Sequence, residues 1–183
     1  MQSSGNTSNF QPHSRTKKIV VLALLLGTGI ILFLFETLLP RPLPWLKPGL
    51  ANVATILALY FYGAREAIGI TICRVFIGGM IIGTLFNPAF ILSFGGGVCA
   101  TIAMALTKRL WDAYFSVFGI SLLGAFFHNI TQLALTYFLI IQKFEIFFLI
   151  PLITVSAVFT GFIVGLASYY LLKNTEKHVI PVS

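Results

Sequence analysis

The sequence predicts an all-α integral membrane protein: a six-helix transmembrane bundle with both termini cytoplasmic. Three observations predict it. The first is composition. Of 183 residues, 57% are hydrophobic and 9% charged, with a mean hydropathy of +0.94, whereas a soluble domain carries about 25% charged residues. Five acids and twelve bases cannot cover a water-facing surface of this size, which excludes a soluble globular protein. The second is segmentation, since the apolar sequence falls into runs that approach the roughly 20 residues of a span, separated by short stretches of Pro, Gly or charge. The third is the placement of the bases. With the N-terminus inside, Arg15, Lys17, Lys18, Arg65, Lys108, Arg109, Lys173 and Lys177 collect on the inner side, and Arg41, Lys47 and Lys143 on the outer. That is the bias that orients membrane proteins. The net charge of +7 therefore reflects topology, and no nucleic-acid partner is expected.

Residues 1–18 are polar, rich in Ser and Asn, and end in a basic cluster, which reads as a disordered cytoplasmic tail. Helix 1 is predicted over Ile19–Leu39. Its apolar run exceeds the core of a signal peptide and meets Pro-Arg-Pro-Leu-Pro with no small-residue cleavage site, so it is a retained span. Pro40, Pro42, Pro44 and Pro48 exclude helix from the next segment, and Trp45, Arg41 and Lys47 suit an ordered outer loop at the interface. Helix 2, Leu50–Tyr62, would be only about 20 Å long against a core of about 30 Å. It must borrow length from its flanks or be covered by protein.

Gly63–Glu66 reads as a tight inner turn, Ala67–Gly83 as helix 3 and Phe86-Asn87-Pro88 as an outer turn. Helix 4 spans Ala89–Thr107, Lys108, Arg109 and Asp112 mark an inner loop, and helix 5 spans Phe115–Ile141. Gln142–Glu145 is a minimal outer turn before helix 6, Phe147–Leu172. The transmembrane domain is thus 19–172 within the cell membrane, followed by a cytoplasmic tail, 173–183.

Arg74 lies about 12 Å from the inner end of helix 3, near the bilayer midplane, where an isolated Arg costs roughly 2.5–3.5 kcal/mol on insertion scales. Either it clamps backbone carbonyls of neighbouring helices or it faces an anionic group of a ligand. No acid reads at matching depth: Glu36 falls near the outer interface and Glu66 near the inner one. On helix 5, Ser121, Ala125, His128 and Gln132 follow spacings of four, three and four, which place them on one face, with Asn129 one position round. Such a stripe is either interhelical glue, at about 0.6 kcal/mol per bond, or a ligand site.

Gly79-x-x-x-Gly83 and Gly161-x-x-x-Gly165 read as ordinary close packing, whereas Ala23-x-x-x-Gly27 on the otherwise bulky helix 1 reads as a docking groove for another membrane subunit. Cys73 and Cys99 fall in apolar runs as small core residues. There is no Gly-rich phosphate loop, and Glu36, Glu66, Asp112, Glu145 and Glu176 are all solitary. Neither ATP hydrolysis nor Mg²⁺-dependent diphosphate chemistry is expected of such a chain. No metal, cofactor or catalytic residue is expected.

The runs LPRPLPWLKPGLANVATI, CRVFIGGMIIGTLFNPAFILSFGGG and FGISLLGAFFHNITQL resemble a small bacterial membrane family, the Gx transporters, also named heptaprenyl diphosphate synthase component I. The resemblance extends over about Leu39–Tyr137. That family is similar to the substrate-binding S components of energy-coupling factor transporters, which implies six helices, both termini inside and a pocket reached from outside. Its pattern singles out Asn52, Arg74, Ser93, Gly96, Ser121, Gly124, His128, Asn129 and Gln132.

S components dock on a transmembrane scaffold, itself served by separate ATPases, usually through two alanines four apart on helix 1. Ala23 and Gly27 occupy those places here. The synthase name implies a link to isoprenoid or quinone metabolism through a soluble prenyltransferase or redox partner. Three readings follow: a transporter subunit that binds a small molecule with a lipophilic body and an anionic or polar head; a non-catalytic membrane subunit of a synthase or redox system; or a self-sufficient carrier or enzyme that moves protons through His128.

Overall fold

The computed structural model describes residues 12–39 and 49–179, with side chains over 15–39 and 49–175. Six α-helices are present among the described residues: α1 (Pro12–Leu38), α2 (Asn52–Phe61), α3 (Ala64–Ile82), α4 (Pro88–Trp111), α5 (Val117–Thr136) and α6 (Ile150–Val179). A π-helical turn, Tyr137–Ile141, prolongs α5, and a 3-10 turn, Phe144–Leu149, leads into α6. No strand occurs among the described residues.

Four helices are long and apolar enough to cross a membrane: α1, α4, α5 with its π-helical turn, and α6 with its 3-10 turn. Two are not. The α3 helix has the length, at 19 residues, but carries Arg65, Glu66 and Arg74. The α2 helix has 10 residues, or about 15 Å.

Cover by protein is what compensates α2. Every residue from Asn52 to Leu59 is buried, and α2 packs on α1, α3, α4 and α6, as expected of a helix apolar all round. The core assembles about it, with Ile56 and Leu59 in one cluster with Ile70 of α3, Met104 of α4, Ile120 of α5 and Val164 of α6. Around this centre α3, α4, α5 and α6 pack each on the next, and α1 lies against α2 and α3. Peripheral α1 is the least buried of the four long helices, 17% over its apolar window against 44% for α4 and α5. Its Ile19, Leu24 and Ile31 are about two-thirds exposed, an apolar surface that suits lipid.

Local signals set the helix ends. Asn87 caps α4 by accepting from the Ala89 N–H at 3.3 Å, with Pro88 at the first helical position, where its missing N–H costs nothing. Left-handed Gly83, φ 72°, ends α3. It is therefore a cap, and only Gly79 of that pair packs, against Phe90. The Gly161 and Gly165 pair does pack closely: an added Cβ would stand 2.9 Å from the Leu122 Cα and 3.2 Å from the Phe118 Cα of α5.

Several limits differ from expectation. Helix α1 begins at Pro12, so the end of the expected tail is helical, and Lys18 donates to Glu66 at 2.5 Å while lying over the Tyr62 ring. Helix α3 starts at Ala64, with Glu66 in its first turn, where a carboxylate favours the helix dipole. Helix α6 continues to Val179, through most of the expected tail. The expected outer loop with Arg41, Trp45 and Lys47 lies outside the described residues, as does the Lys177 side chain.

Candidate functional site

All seven polar residues singled out in the sequence are buried: Asn52, Arg74, Ser93, Ser121, His128, Asn129 and Gln132. The structure brings four of them together around two glycines of α4. A Cβ at Gly96 would stand 3.1 Å from His128 Nδ1 and 3.0 Å from Gln132 Cγ, both on α5. A Cβ at the adjacent Gly97 would stand 3.7 Å from Arg74 Nη2 and 3.1 Å from Thr71 Cγ2, both on α3. Successive residues of a helix point about 100° apart, so this glycine pair opens α4 on two sides at one level. Asn52, at the start of α2, completes the group. Its Oδ1 accepts from Arg74 Nη2 at 3.2 Å, and an added Cβ at left-handed Gly49 would lie 3.2 Å from Asn52 Nδ2 and 3.9 Å from His128 Cδ2.

Arg74 is 3% exposed, and its Nε and Nη1 have no hydrogen-bond partner among the described residues. Each carries an N–H that a carboxylate or phosphate oxygen can accept from, as charge-assisted hydrogen bonds do. On the other side α1 closes over the Arg74 stem through Gly29, where a Cβ would meet Arg74 Cδ at 3.3 Å.

Glu36, expected near the outer interface, is buried next to the start of α2. Although close to the end of α1, it is 2% exposed, its Oε1 accepts the Ala51 N–H at 2.8 Å, and its charge reaches Arg74. The Ala51 N–H belongs to the unpaired first turn of α2. Glu36 thus serves a helix end and an arginine at once.

Beside the cluster, a threonine ladder ties three helices together. Thr55 and Thr71 share a hydrogen bond of 3.0 Å, Thr71 and Thr101 one of 2.9 Å, and Thr101 donates to the Gly97 carbonyl at 2.8 Å. Sequence reasoning missed Glu36 and this ladder. The threonines carry no spacing signal, because each comes from a different helix.

The other predicted residues make contacts of their own. Ser121 donates to the Gly161 carbonyl of α6 at 2.8 Å and so joins two helices. Ser93 donates to the Ala89 carbonyl of its own helix at 2.8 Å. Asn129 is buried one position round from His128, and Gly124 lets α5 close on Met104 of α4. Ala23 is exposed in a shallow groove of about 350 Å³ between α1 and α3, shared with Gly69 and Cys73, and a Cβ at Gly27 would meet nothing within 4 Å. Cys73 is therefore at the surface and not in the core. No three His, Cys, Asp or Glu side chains gather in a metal-holding group among the described residues.

An apolar outer surface around a buried polar centre defines an α-helical membrane protein with an internal polar site. Within that class, the chain belongs to the family described as heptaprenyl diphosphate synthase component I, which matches residues 25–171. The match takes in α2 to α5 and every residue of the cluster. No curated protein and no solved structure matches the chain. The family's description, one component of a synthase, implies a partner subunit.

Proposed function

We propose that the chain is the substrate-binding membrane subunit of a transporter, similar to an S component, with six spans and both termini cytoplasmic. The convergence of Arg74, Asn52, His128 and Gln132 on the Gly96-Gly97 notch carries this reading. The cluster holds the carboxylate or phosphate of a small lipophilic molecule: Arg74 supplies two N–H donors, and the neutral side chains take up the remaining polar atoms. The chain acts without catalysis and draws on ATPases in trans through a transmembrane scaffold. The groove at Ala23 and the open space beside Gly27 support docking there, since close backbone approach is what joins helices in lipid.

The family's description favours a second reading, a non-catalytic membrane subunit beside a soluble prenyltransferase. Purification from native membranes separates the two. The first predicts co-purified ATPases and a small acid detectable by mass spectrometry. Gly96→Ala, which pushes a methyl into His128 and Gln132, is then expected to lower affinity for that acid about tenfold, or about 1.4 kcal/mol. A prenyltransferase with no retained small molecule would replace the first reading by the second.

A further inference from the structure

A second concavity lies away from the polar cluster, on the outer surface between α4 and α5. It is a groove of about 700 Å³ whose lining is almost wholly apolar, within the roughly 300–1,000 Å³ of ligand pockets. Along α4 it extends from Cys99 to Trp111, twelve residues or about 18 Å. That exceeds half of a hydrocarbon core of about 30 Å, so the groove runs from the membrane interior to one interface. Cys99, Ala103 and Thr107 are its smaller lining residues, and Leu106, Trp111 and Phe127 are bulky. Large side chains keep a second helix, about 10–12 Å across, from the close approach that helix packing in lipid needs. A flexible hydrocarbon chain fits between them.

The interfacial end of the groove is polar in a specific way. Trp111 and Tyr114, 51% and 85% exposed, are the residue types that sit at headgroup level. Two bases stand nearby and differ. Lys108 donates to Asp112 at 3.0 Å and lies 4.0 Å over the Tyr60 ring, so its charge is already engaged. Arg109 is exposed and forms no ion pair among the described residues. Helix periodicity sets it beside Leu106 and Leu110, on the rim of the groove face.

We propose that this groove binds one anionic phospholipid, its chain along α4 and α5 and its phosphate at Arg109. The site is separate from the polar cluster and does not depend on which transported molecule, if any, that cluster holds.

Trp111 is one of two tryptophans, so Trp45→Phe leaves a single reporter in the groove. The full-length variant is reconstituted in phosphatidylcholine vesicles, and its fluorescence is titrated with brominated phosphatidylglycerol or brominated phosphatidylcholine. Phosphatidylglycerol is expected to quench at about fivefold lower mole fraction, the equivalent of about 1 kcal/mol for one cation near an anionic surface. Arg109→Gln is expected to make the two lipids equal, and Ala103→Phe to weaken quenching by both. Equal quenching in the Arg109 protein, or a preference that persists in Arg109→Gln, overturns the proposal. If Ala103→Phe does not insert, native mass spectrometry of the unmodified chain replaces that arm. Retained phosphatidylglycerol in excess over phosphatidylcholine supports the site, and retention of neither overturns it.

Discussion

Along α5, Ser121 and Ala125 press against α6, whereas His128 and Gln132 meet α4. On the α6 side the facing residues are Gly161 and Gly165, and the backbones approach so closely that an added Cβ at Gly161 would stand 2.9 Å from a Cα of α5. The Ser121 hydroxyl there donates to the Gly161 carbonyl. On the α4 side the facing residue is again a glycine, Gly96, but an added Cβ there would meet side chains, His128 and Gln132, and the next residue opens toward Arg74. The same device, a missing side chain, seals one seam and leaves polar atoms gathered at the other. What a glycine faces, backbone or polar side chain, separates a packing joint from a candidate site.

The largest expected effect tests how far the polar seam depends on the buried charge of Arg74. Arg74→Met removes the guanidinium that donates to Asn52 and that the Glu36 charge reaches, which should cost about 1.5–3 kcal/mol in a thermal melt in detergent. Arg74→Met combined with Glu36→Gln should recover most of that. A single variant as stable as the parent would show that the two charges do not depend on each other.

Next in size is the sealed seam. Gly161→Val forces a branched side chain against the Leu122 backbone, and overpacking of this kind costs about 1–3 kcal/mol. The melting point should fall while the small-molecule content of the folded fraction stays that of the parent, and loss of that content would erase the distinction between the seams. The smallest effect is Ser121→Ala, about 0.6 kcal/mol for one interhelical hydrogen bond in lipid. It sharpens the comparison by contrast with Gly96→Ala at the other seam, where binding and not stability should respond.

Much of this was legible in the chain. The helices appear where apolar runs and breakers place them, and Asn52, Arg74, His128 and Gln132, selected by depth, spacing or resemblance, do meet. Ser121 shows why a stripe is not a site: spacings of four, three and four define a face of α5, but that face is wide enough to touch two neighbours, and sequence does not say where one ends. Glu36 shows why position along a helix does not give exposure. Near the end of α1, it is buried because the start of α2 turns in beneath it and offers the Ala51 N–H. Cys73 reads as core because its neighbours are apolar, yet in a bundle facing lipid an apolar run continues across the outer surface.

The ten-residue α2 constrains the order in which this chain can be made. Emerging from the ribosome soon after α1, it is too short to cross a bilayer alone, and two of the helices that cover it, α4 and α6, do not yet exist. Its immediate successor α3 carries three charges and is equally unfit to insert by itself. Gly63 joins the two in a tight turn, so they suit entry as one hairpin, with Arg74 brought in beside Asn52. That hairpin remains incompletely covered until the last helix arrives, because α6 is what closes over α2. The centre of the bundle is therefore synthesised before its cover: α2 becomes an interior only once α6 has been made.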